Sequence, residues 1–442
     1  MKVLPAILIS LATIGFSSSR AVTLDAALAQ ALKNNPRILQ ARAGLEAAIG
    51  QRILFRSVAY PKGLVGSVAG VEGGQRAQTS GNQPFILAYG IFTQPLFQAG
   101  IPATFRRGDV AVLIAQQQLN VAVVGELHRA RLAFYLALYD RSLASLGEAQ
   151  RERLDANIAS EQARYQAGET ERGALTSATL LARELDAKIE YVRTDYGNAV
   201  LELAQAMGSA LGPGAALTSP EGAFDFQSKD LRWQDEVDRA LRDRADLKLA
   251  RLLIRSARED QRIVAAGYYP AVEAGVAGVA IPVTGIYRNS GGSPQTTDNT
   301  LANEFGAGAS YTWRVVDNGK VGGAVERHRA ARESNELELR KLEASVPREL
   351  MQLQNTFQAI GARYRSFIAA ATVAEQNVKS VEENRSHGLA SILDFRTAES
   401  DLLVTRRGIL SAIYEEKVAL AEWDRATGGY FQFSDDTTAK VH

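Results

Sequence analysis

From about Gln98 to Gln166 the chain has no proline after Pro102 and little glycine, and its apolar residues fall in a stripe: Leu119, Val123, Leu127, Phe134, Leu136, Leu143, Leu146, Leu154 and Ile158. Steps of three, four and seven residues mark one face of a helix. Some 65 residues at 1.5 Å each would extend roughly 100 Å. The pattern returns from Lys320 to Arg385, and both runs are followed by returning helices, 173–207 and 391–427. Helices this long cannot fold into one compact globule, so coiled coils are expected. Ala130, Ala133 and Ala137 on the first run, and Ala369, Ala370 and Ala371 on the second, allow close backbone approach. A coiled-coil scaffold free in water would account for these segments by themselves.

The segments before each long run speak against that scaffold. In "FGAGASYTWRV" (305–315) Phe305, Ala307, Ala309, Tyr311, Trp313 and Val315 share one face, and Gly306, Gly308, Ser310, Thr312 and Arg314 the other. "FILAYGIFTQPLF" (85–97) sets Phe85, Leu87, Tyr89 and Ile91 on one face, with Ile86 and Phe92 among small residues opposite. In "AVEAGVAGVAI" (271–281) the lone Glu273 marks the odd positions as the wet side. Segments of about ten alternating residues with aromatic residues near their ends read as transmembrane β-strands. Tyr89, Phe92, Phe97, Tyr311 and Trp313 are the candidate membrane-interface aromatics. Strands of a soluble sandwich would alternate in the same way, but would not be flanked by such helices. Each pair is joined by a polar loop, 72–83 and 282–300. Four strands cannot close a barrel, and an open edge is not tolerated in lipid. Since at least about eight strands are needed, copies of the chain must pool theirs: two would give eight, three twelve.

The plan is written twice. Tyr60-Pro61 matches Tyr269-Pro270, and "ALKNNPRILQAR" (31–42) matches "ALRDRADLKLAR" (240–251), both 209 residues apart. "FTQPLFQAG" (92–100) parallels "YTWRVVDNG" (311–319), and "YQAGETERGALTSA" (165–178) parallels "RSHGLASILDFRTA" (385–398). Tyr-Pro ends a helix each time, and a run of small residues follows. The expected organisation is a first repeat at 22–207 (strands about 63–72 and 84–97, helical hairpin 98–207) and a linker at 208–232. A second repeat at 233–428 (strands about 271–282 and 304–316, helical hairpin 320–427) and a tail at 429–442 complete it. The linker reading rests on the Gly, Pro and Ser of "GSALGPGAALTSPEGAFDF" (208–226). Residues 1–21 read as a secretory signal peptide: Lys2, an apolar stretch from Leu4 to Phe16, then Ser19-Arg20-Ala21. Its removal takes Lys2 and Arg20 from the 50 basic residues and none of the 49 acidic, leaving a formal charge of −1. A balanced charge does not suit a nucleic-acid binder. No further run of about 18 apolar residues is read as a transmembrane helix. With no cysteine there is no disulfide, zinc–thiolate site, thiol nucleophile or lipid-bearing N-terminal cysteine. His128, His328, His387 and His442 are too scattered for a local metal motif. The glycine-rich "AGVAGVAIPVTG" and "FGAGAS" lack a P-loop lysine, and no Ser/His/Asp set stands out, so neither an enzyme nor a cofactor is expected.

In "VTLDAALAQALKNNPRILQAR" (22–42), "TQPLFQAG" (93–100), "YQAGETERGALTSATLLARELD" (165–186) and "HGLASILDFRTAESDLLVTRRGILSAIYEEKVALAEWDRATG" (387–428) the sequence resembles the outer-membrane efflux protein family, the TolC-like outer membrane factors. The resemblance implies an α+β membrane protein with an internal duplication. It would be a homotrimer with one shared 12-stranded transmembrane β-barrel, four strands per chain, continued by a long α-helical coiled-coil barrel through the periplasm. It implies a passive exit duct in the outer membrane. The duct would meet a periplasmic adaptor (membrane fusion) protein and an inner-membrane pump of RND, ABC or MFS type, with outer-membrane lipid around the barrel. Export of unfolded protein in a type I secretion system is the alternative role for the same duct. The family's closed state pinches the periplasmic end inside a ring of acids, two of them three residues apart after the hairpin glycine. Here those positions hold Asp394 and Thr397, the candidate gate, and Ala174 stands where the other hairpin could have echoed an acid. Asp394 reads equally as a solvated helix residue. Gly168 and Gly388 are the expected tips, where glycine suits a positive φ at a helix end. Residues 167–172 and 387–392, with Gly168, Glu169, Thr170, Gly388, Leu389 and Ser391, form the adaptor-contact set that the resemblance implies.

Overall fold

Thr23 starts the first helix by accepting the Ala26 N–H on Oγ1 at 3.4 Å, one residue after the short strand β1 (Ala21–Val22). α1 (Leu24–Asn34) then stops at Asn35. The Asn35 Oδ1 accepts the Arg37 N–H at 2.9 Å, and Pro36 opens α2 (Pro36–Ser57) where its missing N–H leaves no bond unmade. Asn35 Nδ2 donates to Glu126 at 2.9 Å and to the Ala206 carbonyl at 2.8 Å, which pins the break between the helices. β2 (Lys62–Arg76) and β3 (Thr79–Gln98) follow, then α3 (Ile101–Gln166) and α4 (Arg172–Ala206). β4 (Ser219–Pro220) pairs in parallel with β1. After it come α5 (Trp233–Asp243), α6 (Ala245–Ala265), a 3₁₀ turn (Ala266–Tyr268) and β5 (Ala271–Val283). The two-residue β6 (Tyr287–Arg288) and β7 (Gln295–Thr296) precede β8 (Thr300–Thr312), α7 (Lys320–Ser386) and α8 (Ile392–Ala426). This computed structural model describes residues 21–76, 79–209, 218–283, 287–288, 295–296 and 300–434. The leading segment 1–20, most of the 284–299 loop and the tail from 435 are outside the described residues.

Several elements differ from their sequence-based bounds. The four main strands run 15, 20, 13 and 13 residues rather than about ten. The last spans 300–312, not 304–316, because Thr312 pairs with Ala271 at the start of β5, and Pro270 ends the partner there. Beyond it Asp317 accepts the Val321 N–H at 2.8 Å and the Gly319 N–H at 3.0 Å, opening α7. The 208–232 segment holds β4 as well as connecting chain. One window of α3 is long and apolar enough to cross a membrane, contrary to expectation. Its apolarity comes from packing residues, and 56% of it is buried within the protein.

The chain divides into two compact units. One comprises the described residues of Met1–Arg42, Leu119–Ala245 and Glu343–Phe433. Val22, Ala27, Phe134, Leu138, Leu203 and Met207 form one of its cores, and Leu154, Leu185, Ile189 and Phe395 another. Gly208 (φ +70°) and Gly428 (φ +74°) end α4 and α8. A Cβ on Gly208 would lie 2.3 Å from the Asn34 carbonyl oxygen, and one on Gly428 3.0 Å from the Asp243 carbonyl carbon. Asn34 and Asp243 close α1 and α5, so each half presses a helix-end glycine on the same helix break. The other unit comprises Ala43–Gln118, Asp246–Leu342 and the described part of Ser434–His442, and contains the four-stranded sheet. Arg106 and Arg107 of α3 pair with Glu259 (2.9 Å) and Asp260 (2.8 Å) of α6 beneath it.

Candidate functional site

The sheet order is β2-β3-β5-β8, antiparallel throughout. The outer edges of β2 and β8 carry no strand partner among the described residues. Because paired residues share a face, the register sorts the side chains. On one face Gly66, Tyr89, Val279 and Glu304 form a row, Pro95, Glu273 and Ser310 another, and Lys62, Thr93, Gly275 and Gly308 a third. On the other face lie Val65, Val71, Ile86, Phe92, Val276, Phe305, Ala307 and Tyr311. Val65 is 86% and Phe305 75% exposed. That apolar face bears no charged side chain among the described residues, so its natural neighbour is another apolar phase rather than water.

A bulge between Pro95 and Phe97 shifts the phase of β3. Phe97, an odd position, thereby joins even-numbered Phe92 on the apolar face and completes the row Phe97–Val272–Tyr311 at the helical end of the sheet. Trp313 stands just past β8, and its Nε1–H donates to the Tyr268 carbonyl at 3.2 Å. Tyr89 departs from this set. It lies over Gly66 on the polar face, where a Cβ on that glycine would come within 2.6 Å of its ring.

At the helical tips, α3 and α7 end in the same hydrogen-bond pattern. Gly168 N–H donates to the Tyr165 carbonyl (3.1 Å) and Glu169 N–H to Arg164 (2.9 Å); Gly388 donates to Arg385 (3.1 Å) and Leu389 to Asn384 (2.7 Å). With φ of +76° and +73°, both glycines close a Schellman motif. The tips differ in their flanks. Glu169 pairs with Arg164 at 3.7 Å and Thr170 is half-buried, whereas Leu389 is 79% exposed. Ser391 is the N-cap of α8 in a capping box with Asp394. Ser391 Oγ accepts the Asp394 N–H at 3.2 Å, and Asp394 Oδ2 accepts from the Ser391 hydroxyl (2.7 Å) and N–H (2.8 Å). Those bonds hold the Asp394 carboxyl below the ordinary aspartate range. Thr397 Oγ1–H donates back to the Leu393 carbonyl at 2.9 Å. Asp394 and Thr397 are both exposed, one turn apart on α8, and Ala174 lies on the first turn of α4.

Behind the tips lie buried charges that are absent from the sequence-based expectations. Glu161 (2% exposed side chain) meets Arg385, whose guanidinium lies 5.0 Å from the Phe395 ring centre. Glu399 (1%) meets Gln150 and, at 3.3 Å, Arg153. Glu399 stands four residues after Phe395 and three before Leu402, both buried, so a charge inside the apolar stripe was the available signal.

Residues 237–429 match the family model of the outer membrane efflux protein. Comparison with the sequences of curated proteins gives no match. Solved structures resemble the whole fold. The CmeC outer membrane channel of Campylobacter jejuni superposes with a TM-score of 0.79 at 13% identity, covering 95% of this chain and 88% of that one. The outer membrane protein VceC of Vibrio cholerae gives 0.73 at 18% identity, with 92% and 97% covered. The open-state MtrE outer membrane channel of Neisseria gonorrhoeae gives 0.72 at 14%, with 92% and 88% covered.

Proposed function

We propose that this chain, whose residues 237–429 match the outer membrane efflux protein family and whose fold resembles solved outer membrane channels, is an outer membrane efflux protein and works as a homotrimer whose twelve strands make one barrel in the outer membrane. The observation that carries this reading is the four-stranded sheet: among the described side chains its charges all lie on one face and none on the other, and both edges are open. In hydrocarbon those edges are untenable. With β2 and β8 running in opposite directions, a third copy closes an antiparallel ring in which edges meet. The long helices continue that ring into the periplasm as a passive duct. It receives small toxic molecules from an adaptor that contacts the Gly168 and Gly388 tips and an inner-membrane pump. Three Asp394 carboxylates ring the closed end and favour cations. The twin helix-end glycines and twin tip motifs support an internal duplication.

The experiment is fractionation followed by cross-linking. The processed protein should sediment with outer membranes, require detergent, run as a heat-modifiable trimer and cross-link to an adaptor through residues 167–172 or 387–392. Recovery as a monomer in plain buffer would sink the reading. Which inner-membrane partner co-purifies, a proton-driven pump or an ABC transporter with a secreted substrate, separates efflux from type I secretion.

A further inference from the structure

We infer that Glu304 is the charge that selects ions in the sheet portion of the duct, with Lys62 opposing it; this rests on reading the sheet as a shared membrane barrel. Among the described side chains of the four main strands, three are charged: Lys62, Glu273 and Glu304. The register puts all three on one face, where small and polar residues (Thr93, Ser310, Gly275, Gly308) alternate with apolar ones such as Leu64, Ile91 and Val279, and puts no charge on the other face. An ionised group turned to lipid costs several kcal/mol, by about 2–4 kcal/mol for a basic residue at mid-membrane. That face is therefore the aqueous lumen.

Position decides which charge dominates. Lys62 sits in the Gly275 row and Glu273 one row away, two strands across. At about 4.8 Å per strand and 3.4 Å per residue they are roughly 12 Å apart, close enough to offset each other in part. Glu304 sits in the Val279 row, three strands from Lys62. That is about 20 Å in its own chain, twice the screening length of about 10 Å at 0.1 M salt; in a closed ring the next chain's Lys62 stands nearer, one strand from β8, and is the charge that opposes Glu304 as salt falls. No ion pair engages Glu304 among the described residues, and it is exposed. Three copies would set three such carboxylates around the lumen, between floors of glycine that leave room for hydrated ions. Because the lumen is wide, the effect should grow as salt falls: the screening length is about 30 Å at 0.01 M and about 3 Å at 1 M.

The test uses the full-length trimer in planar bilayers, with reversal potentials measured in dilute KCl gradients. Glu304→Gln should lower the cation-to-anion permeability ratio by about twofold or more, Lys62→Gln should raise it, and both changes should vanish near 1 M salt. A second measurement does not depend on whether the periplasmic end is open. The chain has no cysteine, so Glu304→Cys and Phe305→Cys can be treated in intact cells with a charged, membrane-impermeant thiol reagent. Cys at 304 should react and Cys at 305 should not. Channels with unchanged selectivity in Glu304→Gln, or an unreactive Cys at 304, would overturn this inference and leave the duct standing. Absence of any detergent-requiring oligomer would instead overturn the duct.

Discussion

Asp394 carries two roles in one carboxylate, and substitution can separate them. Its Oδ2 satisfies the Ser391 N–H and hydroxyl at the start of α8, while its charge is what a cation-favouring ring would use. Asparagine keeps an acceptor at the cap and removes the charge; alanine removes both. Asp394→Asn should therefore lower cation selectivity and divalent-ion block in bilayers while leaving thermal stability near that of the parent, and Asp394→Ala should lower both. Equal selectivity in all three proteins would remove Asp394 from the gate. Asp140 on α3 poses a different problem. It is 7% exposed, makes no hydrogen bond or ion pair among the described residues, and has Asp195 of α4 and Tyr414 of α8 as charged or titratable neighbours. Burial, and then the Asp195 charge, push its pKa up to about 6. A carboxyl whose folded pKa lies above its unfolded value of 3.8 stabilises the fold less as pH rises through that window. Above pH 6 the charged form is held at a cost that a neutral amide in its place would not carry. Asp140→Asn should thus raise the midpoint of thermal unfolding at pH 7.5 and do little at pH 4; a gain of the same size at both values would count against the buried-charge account.

At the scale of elements, equal backbone conformations have unequal surroundings. Gly168 (φ +76°) has nothing within 4 Å of a built Cβ, whereas Gly208 (φ +70°) has the Asn34 carbonyl at 2.3 Å and the Asn35 nitrogen at 2.8 Å. Alanine at 168 costs the left-handed conformation alone, about 1 kcal/mol. At 208 the backbone of the α1–α2 break must also move, adding about 1–3 kcal/mol. Gly208→Ala, and by the same contact Gly428→Ala, should lower the unfolding midpoint clearly more than Gly168→Ala; equal losses would mean that the helix break yields freely. The elements themselves were largely legible in the sequence. The stripe from Leu119 to Ile158 foretold α3, and the alternation of Phe305 to Tyr311 foretold β8. What stayed hidden depends on partners distant in sequence. Nothing local says that a bulge at Pro95 carries Phe97 onto the face of Phe92, or that Tyr89 covers Gly66. Strand ends were missed for the same reason: Trp313 continues the alternation of β8, but β5 begins at Ala271 and offers no ladder beyond Thr312.

For the whole molecule the open question is how the sheet meets its like. β2 rises from the Tyr60-Pro61 turn and β8 descends towards α7, so three copies placed edge to edge alternate in direction without a break, each β8 beside the next chain's β2. The chain's lack of cysteine makes that junction directly measurable. Val65 near the start of β2 and Ala307 in β8 both lie on the face opposite Lys62, Glu273 and Glu304. A disulfide needs Cα atoms within about 7 Å, so one register will bridge and its neighbours two residues away will not. Val65→Cys combined in turn with cysteine at 305, 307, 309 or 311 should give dimers and covalent trimers on non-reducing gels for one pairing, and none for any single variant. The successful pairing fixes the stagger between subunits, which sets barrel width and tilt. A scan that yields only monomers at every pairing, from protein shown to be in the membrane, would break the edge-to-edge ring, because no other arrangement of this sheet leaves its hydrogen-bonding groups paired in hydrocarbon.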